Sequence, residues 1–239
     1  MRKGAPELTQ NFQIAIDGPA SSGKSTLAKR LAQHYGYIYL DTGAMYRCLS
    51  LAASRAGIAP EEEKTLKKLL EEIEISFQAS DQGQLVYLNG EEVTRAIRED
   101  QVSNLVSYYA AIPLVRQELV KRQQEIASCA AGIVMDGRDI GTVVLPQAQV
   151  KIYLIASVHE RAKRRYLENQ DCHYSDQSLE EIEEEIRQRD HYDMNREESP
   201  LRPALDAVHV DSSELTIEEV QERLITIIDE KKREKAENI

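Results

Sequence analysis

The chain has no tryptophan, two phenylalanines, three cysteines and five histidines among its 239 residues. Cys48, Cys129 and Cys172 stand far apart and are odd in number, which argues against a disulfide framework or a zinc site. They read as reduced thiols of a cytosolic protein. His34, His159, His173, His191 and His209 show no metal-ligand spacing, and none is assigned a role. No apolar run approaches the ~20 residues that cross a bilayer, so no membrane partner is expected. Met1 to Gln10 lacks the apolar centre of a signal peptide and reads as a flexible tail. Positive charge is also scarce: 30 Lys and Arg face 41 Asp and Glu, a net charge of −11, which argues against a nucleic-acid polymer as partner. The expected location is cytoplasmic. No long apolar stripe is left over for a partner subunit, so a monomer is expected.

What is present is a phosphate-loop pattern. Gly18-Pro19-Ala20-Ser21-Ser22-Gly23-Lys24-Ser25 carries two glycines, a lysine and a hydroxyl residue at the required spacing. The apolar run Phe12 to Ile16 leads into it as a strand, and Thr26 to Ala32 follows as a helix. That context lets backbone N–H groups curl around phosphate oxygens at a helix N-terminus. The candidate nucleotide-binding residues are therefore Gly18, Pro19, Ala20, Ser21, Ser22, Gly23, Lys24, Ser25 and Thr26. Lys24 reaches the β- and γ-phosphates, and the Ser25 hydroxyl sits on Mg²⁺.

The remaining pattern alternates strands with helices. Strands are expected at Tyr37 to Leu40, Ile133 to Met135, Val150 to Ala156 and Ala207 to Val210. Val150 to Ala156 shows no polar alternation, as suits a parallel strand covered on both faces. Helices are expected from Thr42 to about Gly57, Glu61 to Glu72, about Ile97 onward with a break near Pro113, Arg116 to Ala131 stopped by Gly132, His159 to Asn169, Leu179 to about Tyr192, and Ile217 to Glu230. Lys231 to Ile239 reads as a charged tail. Between Ile73 and Glu92, alternation with turn signals at Asp81-Gln82-Gly83 and Asn89-Gly90 predicts a hairpin or small three-stranded sheet. The fold class is α/β: a doubly wound parallel sheet with a small inserted β lobe.

Three clusters carry further chemistry. Asp41-Thr42-Gly43-Ala44-Met45-Tyr46-Arg47 follows the second strand, and Asp136-Gly137-Arg138-Asp139-Ile140-Gly141-Thr142 follows a buried one. Arg161, Arg164, Arg165, Arg189 and Arg196 lie on two successive helical segments. Phosphoryl transfer asks a protein for positioning, charge neutralisation and exclusion of water, and guanidinium forks serve the first two. Asp136 reads as a magnesium-side carboxylate, acting through water. Asp41 or Thr42 is an equal candidate for a helix cap. Arg187, Arg202 and the run Glu180 to Glu185 read as solvated surface.

With the phosphate loop, the two aspartate-led clusters, Asn89-Gly90-Glu91-Glu92-Val93, and Arg189-Asp190 with Asp193 and Arg196, the chain resembles the bacterial cytidylate kinase family from about Ile14 to Asp211. The resemblance implies one kinase domain over 11–239. Its core is expected at 11–60, 112–158 and 204–230, the acceptor lobe with the β insert at about 61–111, and a helical lid at about 159–203. It implies that Thr42, Ser107, Arg116 and Asp139 face cytosine, that Arg47, Arg138 and Arg196 hold the acceptor phosphate, and that Arg189 and Asp193 contact the sugar. Lys24, Arg161, Arg164, Arg165 and Arg189 are the candidate catalytic residues. The implied ligands are ATP, with Mg²⁺, and CMP or dCMP. A carboxylate at Asp139 accepts from the N4 amino group of cytosine and repels the O4 of uracil. The rival readings are a kinase of UMP, AMP, dTMP or a non-nucleotide metabolite, and a nucleotide-dependent switch. A guanine-reading Asn-Lys-x-Asp motif, which a GTPase switch would carry, is absent.

Overall fold

The computed structural model describes residues 11–80, 83–172 and 175–237. Met1 to Gln10, the turn at Asp81-Gln82, His173 and the last two residues lie outside the described residues. Five parallel strands form the central sheet: β1 (Phe12–Asp17), β2 (Ile38–Asp41), β6 (Gly132–Gly137), β7 (Val150–Ile155) and β8 (Val208–Asp211), in the order β2-β6-β1-β7-β8. β1 is central, and the chain crosses to one side of it and later to the other. The carboxyl end of β1 is therefore the topological switch point, where an open α/β sheet has its ligand crevice.

Helices cover both faces. α1 (Lys24–Tyr35) and α8 (Ile217–Glu237) pack on one, where Leu27, Leu31, Leu224 and Ile228 meet Ile14, Ile16 and Ile152. On the other lie α2 (Thr42–Ala56), α3 (Glu63–Glu72), α4 (Asp100–Ala110) and α5 (Pro113–Ser128). Pro113 opens α5 at a position where its missing N–H costs nothing. The insert is a three-stranded antiparallel sheet of β3 (Ile75–Ser80), β4 (Gly83–Leu88) and β5 (Glu91–Glu92). Its Val86, Leu88 and Val93 join the same buried cluster as Leu40 and Leu49, so the insert shares the main core. α6 (Val158–Cys172) and α7 (Leu179–Asn195) pair through a small cluster of their own, Ala162, Ile182 and Ile186. Ser178 and Glu181 close a reciprocal capping box at the start of α7.

Two expected boundaries are corrected. Gly132 does not stop α5, which ends at Ser128; Gly132 is the first residue of β6. A Cβ there would stand 2.2 Å from the Tyr37 ring, so the glycine serves a close approach. The expected charged tail from Lys231 is helical as far as Glu237. The Lys232 ammonium lies 4.6 Å from the centre of the Tyr35 ring and 5.3 Å from that of Tyr37, and Lys235 lies 5.7 Å from that of Phe12. These cation–π contacts hold the last turns of α8 against the body.

Candidate active site

The loop from Gly18 to Gly23 joins β1 to α1 at the switch point. Gly18 takes φ +153°, and a Cβ there would lie 2.0 Å from the Leu154 carbonyl oxygen of β7. Ser21 takes the left-handed φ of +57°, which helps curl the loop. Lys24 is buried and donates to the Pro19 carbonyl at 2.6 Å and to Ser22 Oγ at 3.2 Å. Burial, and then the charge of Arg138, push the Lys24 ammonium down to about 7. Ser25 Oγ donates to Asp136 Oδ2 at 2.8 Å, and Tyr39 donates to Asp136 Oδ1 at 2.8 Å. Burial, with the charge of Asp41, raises the Asp136 carboxyl. Ser25 and Asp136 thus present hard oxygen atoms side by side next to the loop, a donor set that suits Mg²⁺. Among the described residues no group of three His, Cys, Asp or Glu side chains converges on a metal position.

Above the loop opens a cleft of about 1190 Å³, lined at one end by Ala20 to Thr26 and at the other by Arg47, Ser107, Arg138 and Arg189. It exceeds the ~300–1000 Å³ usual for one small ligand. Asp41 caps α2 by accepting from the Ala44 N–H at 2.8 Å, and Arg47 Nη2 donates to it at 2.9 Å. Burial pushes Asp41 up, but Arg47 and Arg98 together hold it below the usual carboxylate range. Arg138 Nε donates to Asp193 Oδ2 at 2.9 Å, and Ser107 reaches Asp193 Oδ1 at 3.4 Å. Asp193 is raised by burial and lowered more by Arg138, Arg189 and Arg196. Arg189 makes no hydrogen bond or ion pair among the described residues, and its buried Nε lacks a partner. Burial and the neighbouring Arg138 lower it to about 10.

The other candidates sit outside the cleft lining. Arg116 and Asp139 are each 4% exposed and form a buried ion pair with Asp139 Oδ2 as acceptor. Arg116 also donates to the Ala110 carbonyl at 3.2 Å and lies over the Tyr46 ring. Asp139 Oδ1 carries no hydrogen bond among the described residues. Burial raises Asp139 against the pull of Arg116. Thr42 donates to the Asp136 carbonyl at 2.7 Å, which commits its proton to the backbone. Arg196 donates twice to the Ser199 carbonyl, at 2.8 and 2.6 Å.

The three arginines of α6 differ. Arg161 is buried with every donor nitrogen engaged: Ala156 carbonyl at 3.0 Å, Ala20 carbonyl at 3.1 Å and Asp190 Oδ2 at 2.5 Å. It ties α6 and α7 to the phosphate loop. Arg164 donates to the Ser212 carbonyl at 2.6 Å and borders the loop end of the cleft. Arg165 lines the cleft with only a loose pairing to Glu168, at 3.6 Å.

Sequence reasoning missed Arg98, Tyr39 and Asp17, whose carboxylate accepts from the Ile140 and Gly141 N–H groups. Arg98 lines the cleft and faces Glu168 of α6 at 3.7 Å, with its neighbour Ile97 fully buried as an anchor. Nothing in its spacing separates it from Arg95. Asp17, an acidic residue ending an apolar strand, is the one with a visible signal.

Fold and site together define a phosphate-loop α/β protein with room for two phosphorylated ligands end to end. The sequence profile described as Cytidylate kinase matches residues 14–230. The cytidylate kinase of Ligilactobacillus salivarius is 52% identical over 224 residues, 94% of this chain and 99% of its own length. That of Anoxybacillus flavithermus is 50% identical over the same shares of each chain. A solved structure of an uncharacterized Eubacterium ventriosum protein matches at a TM-score of 0.50 and 14% identity, covering 92% of this chain and 99% of its own. That likeness speaks for the fold. The chain belongs to the cytidylate kinase family.

Proposed function

We propose that this protein transfers the γ-phosphoryl group of ATP to CMP or dCMP, yielding ADP and CDP or dCDP. The observation that carries the reading is the single cleft with the phosphate loop and Lys24 at one end and Arg47, Arg138 and Arg189 at the other. Two anionic ligands can meet there with their phosphates between the cationic groups. The loop amides and Lys24 hold the ATP phosphates, while Arg47 and Arg138, with Arg196 nearby, hold the acceptor phosphate. Arg189 and Asp193 are assigned to the sugar, and Arg189 also faces the transferring group with Arg164 and Arg165.

Mg²⁺ is assigned to Ser25, with Asp136 acting through water; when bound it neutralises charge on the phosphate oxygens. An acceptor phosphate is already ionised, so in-line attack needs no strong base, and the cleft supplies none of the usual histidine kind. Cytosine is read where Ser107 borders the cleft and the Arg116–Asp139 pair lies behind it. Asp139 Oδ1 is open to accept from N4, while Arg116 holds Oδ2. The division into a core, an acceptor lobe at about 61–111 and a lid at about 159–203 belongs to the same reading, as do a monomeric state and a cytoplasmic location. Among the described residues no helix is long and apolar enough to cross a membrane.

The test is ATP-dependent phosphorylation of CMP, dCMP, UMP, AMP and dTMP in parallel. Strong turnover of CMP and dCMP, with weaker use of UMP, is expected. Turnover of AMP or dTMP above CMP would overturn the cytosine reading. ATP hydrolysis indifferent to CMP would favour a switch.

A further inference from the structure

Asp17 ends β1 one residue before the phosphate loop, and its carboxylate is 4% exposed. It makes no ion pair within 4 Å among the described residues. Instead Oδ1 accepts from the Ile140 N–H at 2.8 Å and Oδ2 from the Gly141 N–H at 2.7 Å. Those two amides open the π-helical turn Ile140–Val144, directly after Arg138 and Asp139. Both carboxylate oxygens are thus spent on one short stretch of backbone 123 and 124 residues away in sequence. Burial raises the Asp17 carboxyl to about 7 against the pull of the Gly141 and Ile140 N–H groups, so near neutral pH it is partly ionised; in that form its hydrogen bonds are about twice as strong as neutral ones.

The geometry is more specific than core-filling requires. β1 and β6 are already paired in register, with Asp17 opposite Gly137, so the sheet does not need this contact to form. The contact adds control over the course of the chain beyond β6. Asp139 is the residue preceding the turn, with φ −146° and ψ 26°, outside the helical and strand regions. Its backbone is therefore set by the Ile140–Val144 turn, and Asp17 grips the first two amides of that turn.

We infer that Asp17 is a positioning residue for the acceptor site: its carboxylate fixes the Ile140–Gly141 backbone and thereby holds Asp139 against Arg116 at the back of the cleft. This deepens the CMP kinase reading and rests on it.

The experiment compares wild type, Asp17→Asn and Asp17→Ala, measuring kcat and KM for CMP and for ATP, the CMP-to-UMP preference, and the thermal melt. Asn keeps one acceptor oxygen and turns an amide N–H against the other backbone N–H. The expected result for Asp17→Asn is a KM for CMP raised on the order of 10- to 100-fold, as for loss of a charge-assisted hydrogen bond. The CMP preference over UMP should shrink alongside it, with the KM for ATP changed less than about twofold if the effect stays on the acceptor side. Asp17→Ala should show the same split. An unchanged CMP KM and preference would overturn the inference. So would an equal rise of both KM values, or loss of the cooperative melt in both variants, since the carboxylate would then support the body of the protein and not the acceptor turn. Failure of wild type to phosphorylate CMP would instead remove the CMP kinase reading, and the inference with it.

Discussion

The two ends of the cleft are built differently. At the phosphate-loop end the side chains are held in place by hydrogen bonds of their own: Lys24 donates to Pro19 and Ser22, Ser25 to Asp136, and Arg161 holds the Ala20 carbonyl. The opposite end keeps donors open. Arg47 and Arg189 each have a buried Nε without a partner, and Arg189 has no anionic partner among the described residues. A loop of closely spaced residues can lock its own side chains, whereas guanidinium groups brought together from α2, the end of β6 and α7 keep donors over, although Asp41 and Asp193 hold two of them. One end is thus preformed, and the other is cationic in wait of phosphate.

The largest expected effect breaks the preformed end. Lys24→Ala should lower kcat on the order of 10³-fold, as for removal of a preorganised charge stabiliser, while the fold persists. Near-normal turnover would remove Lys24 from the phosphate contacts. Arg189→Ala, at the waiting end, should lower kcat on the order of 10²-fold. Its melting temperature should change little, because the half-buried guanidinium makes no ion pair among the described residues. Arg161→Ala sharpens the contrast. Breaking its buried pair with Asp190 should cost about 3 kcal/mol of stability. A melt unchanged by Arg161→Ala, or lowered as much by Arg189→Ala, would erase the distinction between bracket and free cation.

Smaller in scale is base choice. Asp139→Asn keeps the shape of the side chain but removes its charge, and the amide can turn a donor toward the O4 of uracil. The CMP preference over UMP should fall by about 10- to 100-fold. Parallel kcat/KM measurements on the two acceptors check it, and a preference that holds would move the base reader elsewhere.

The difference between the ends also explains what could be read in the sequence. The phosphate loop, its strand and its helix are contiguous, so spacing alone indicated Lys24, Ser25 and the parallel sheet around them. The acceptor end is assembled by the fold from residues far apart in the chain, 146 positions in the case of Arg47 and Asp193. Only the family resemblance joined them. Neither spacing nor resemblance separated Arg161 from Arg165, because burial against Asp190 depends on how α6 and α7 pack. Arg98 was invisible for the same reason: its aim into the cleft depends on Ile97 anchoring a short turn. Gly132 looked like a helix stop because the Tyr37 ring above it comes from a different element.

The smallest expected difference between the ends is in protons. Lys24 sits at about 7, held down by burial and then by Arg138. Phosphate oxygens placed against it favour the charged form, so ATP raises its pKa. At pH 6 the ammonium is already protonated in the empty protein, and binding takes up little. At pH 8 it is largely neutral before binding and charged after, so MgATP binding should take up about one proton. Calorimetry in buffers of different ionisation enthalpy reads this number, with Lys24→Ala as the control in which the pH-dependent part disappears. The waiting end should behave otherwise, because guanidinium groups stay protonated throughout this range. At pH 8, where the CMP phosphate is already fully ionised, CMP binding should therefore take up no proton. Equal proton uptake for both nucleotides would mean that the preformed end is not where the titrating cation lies.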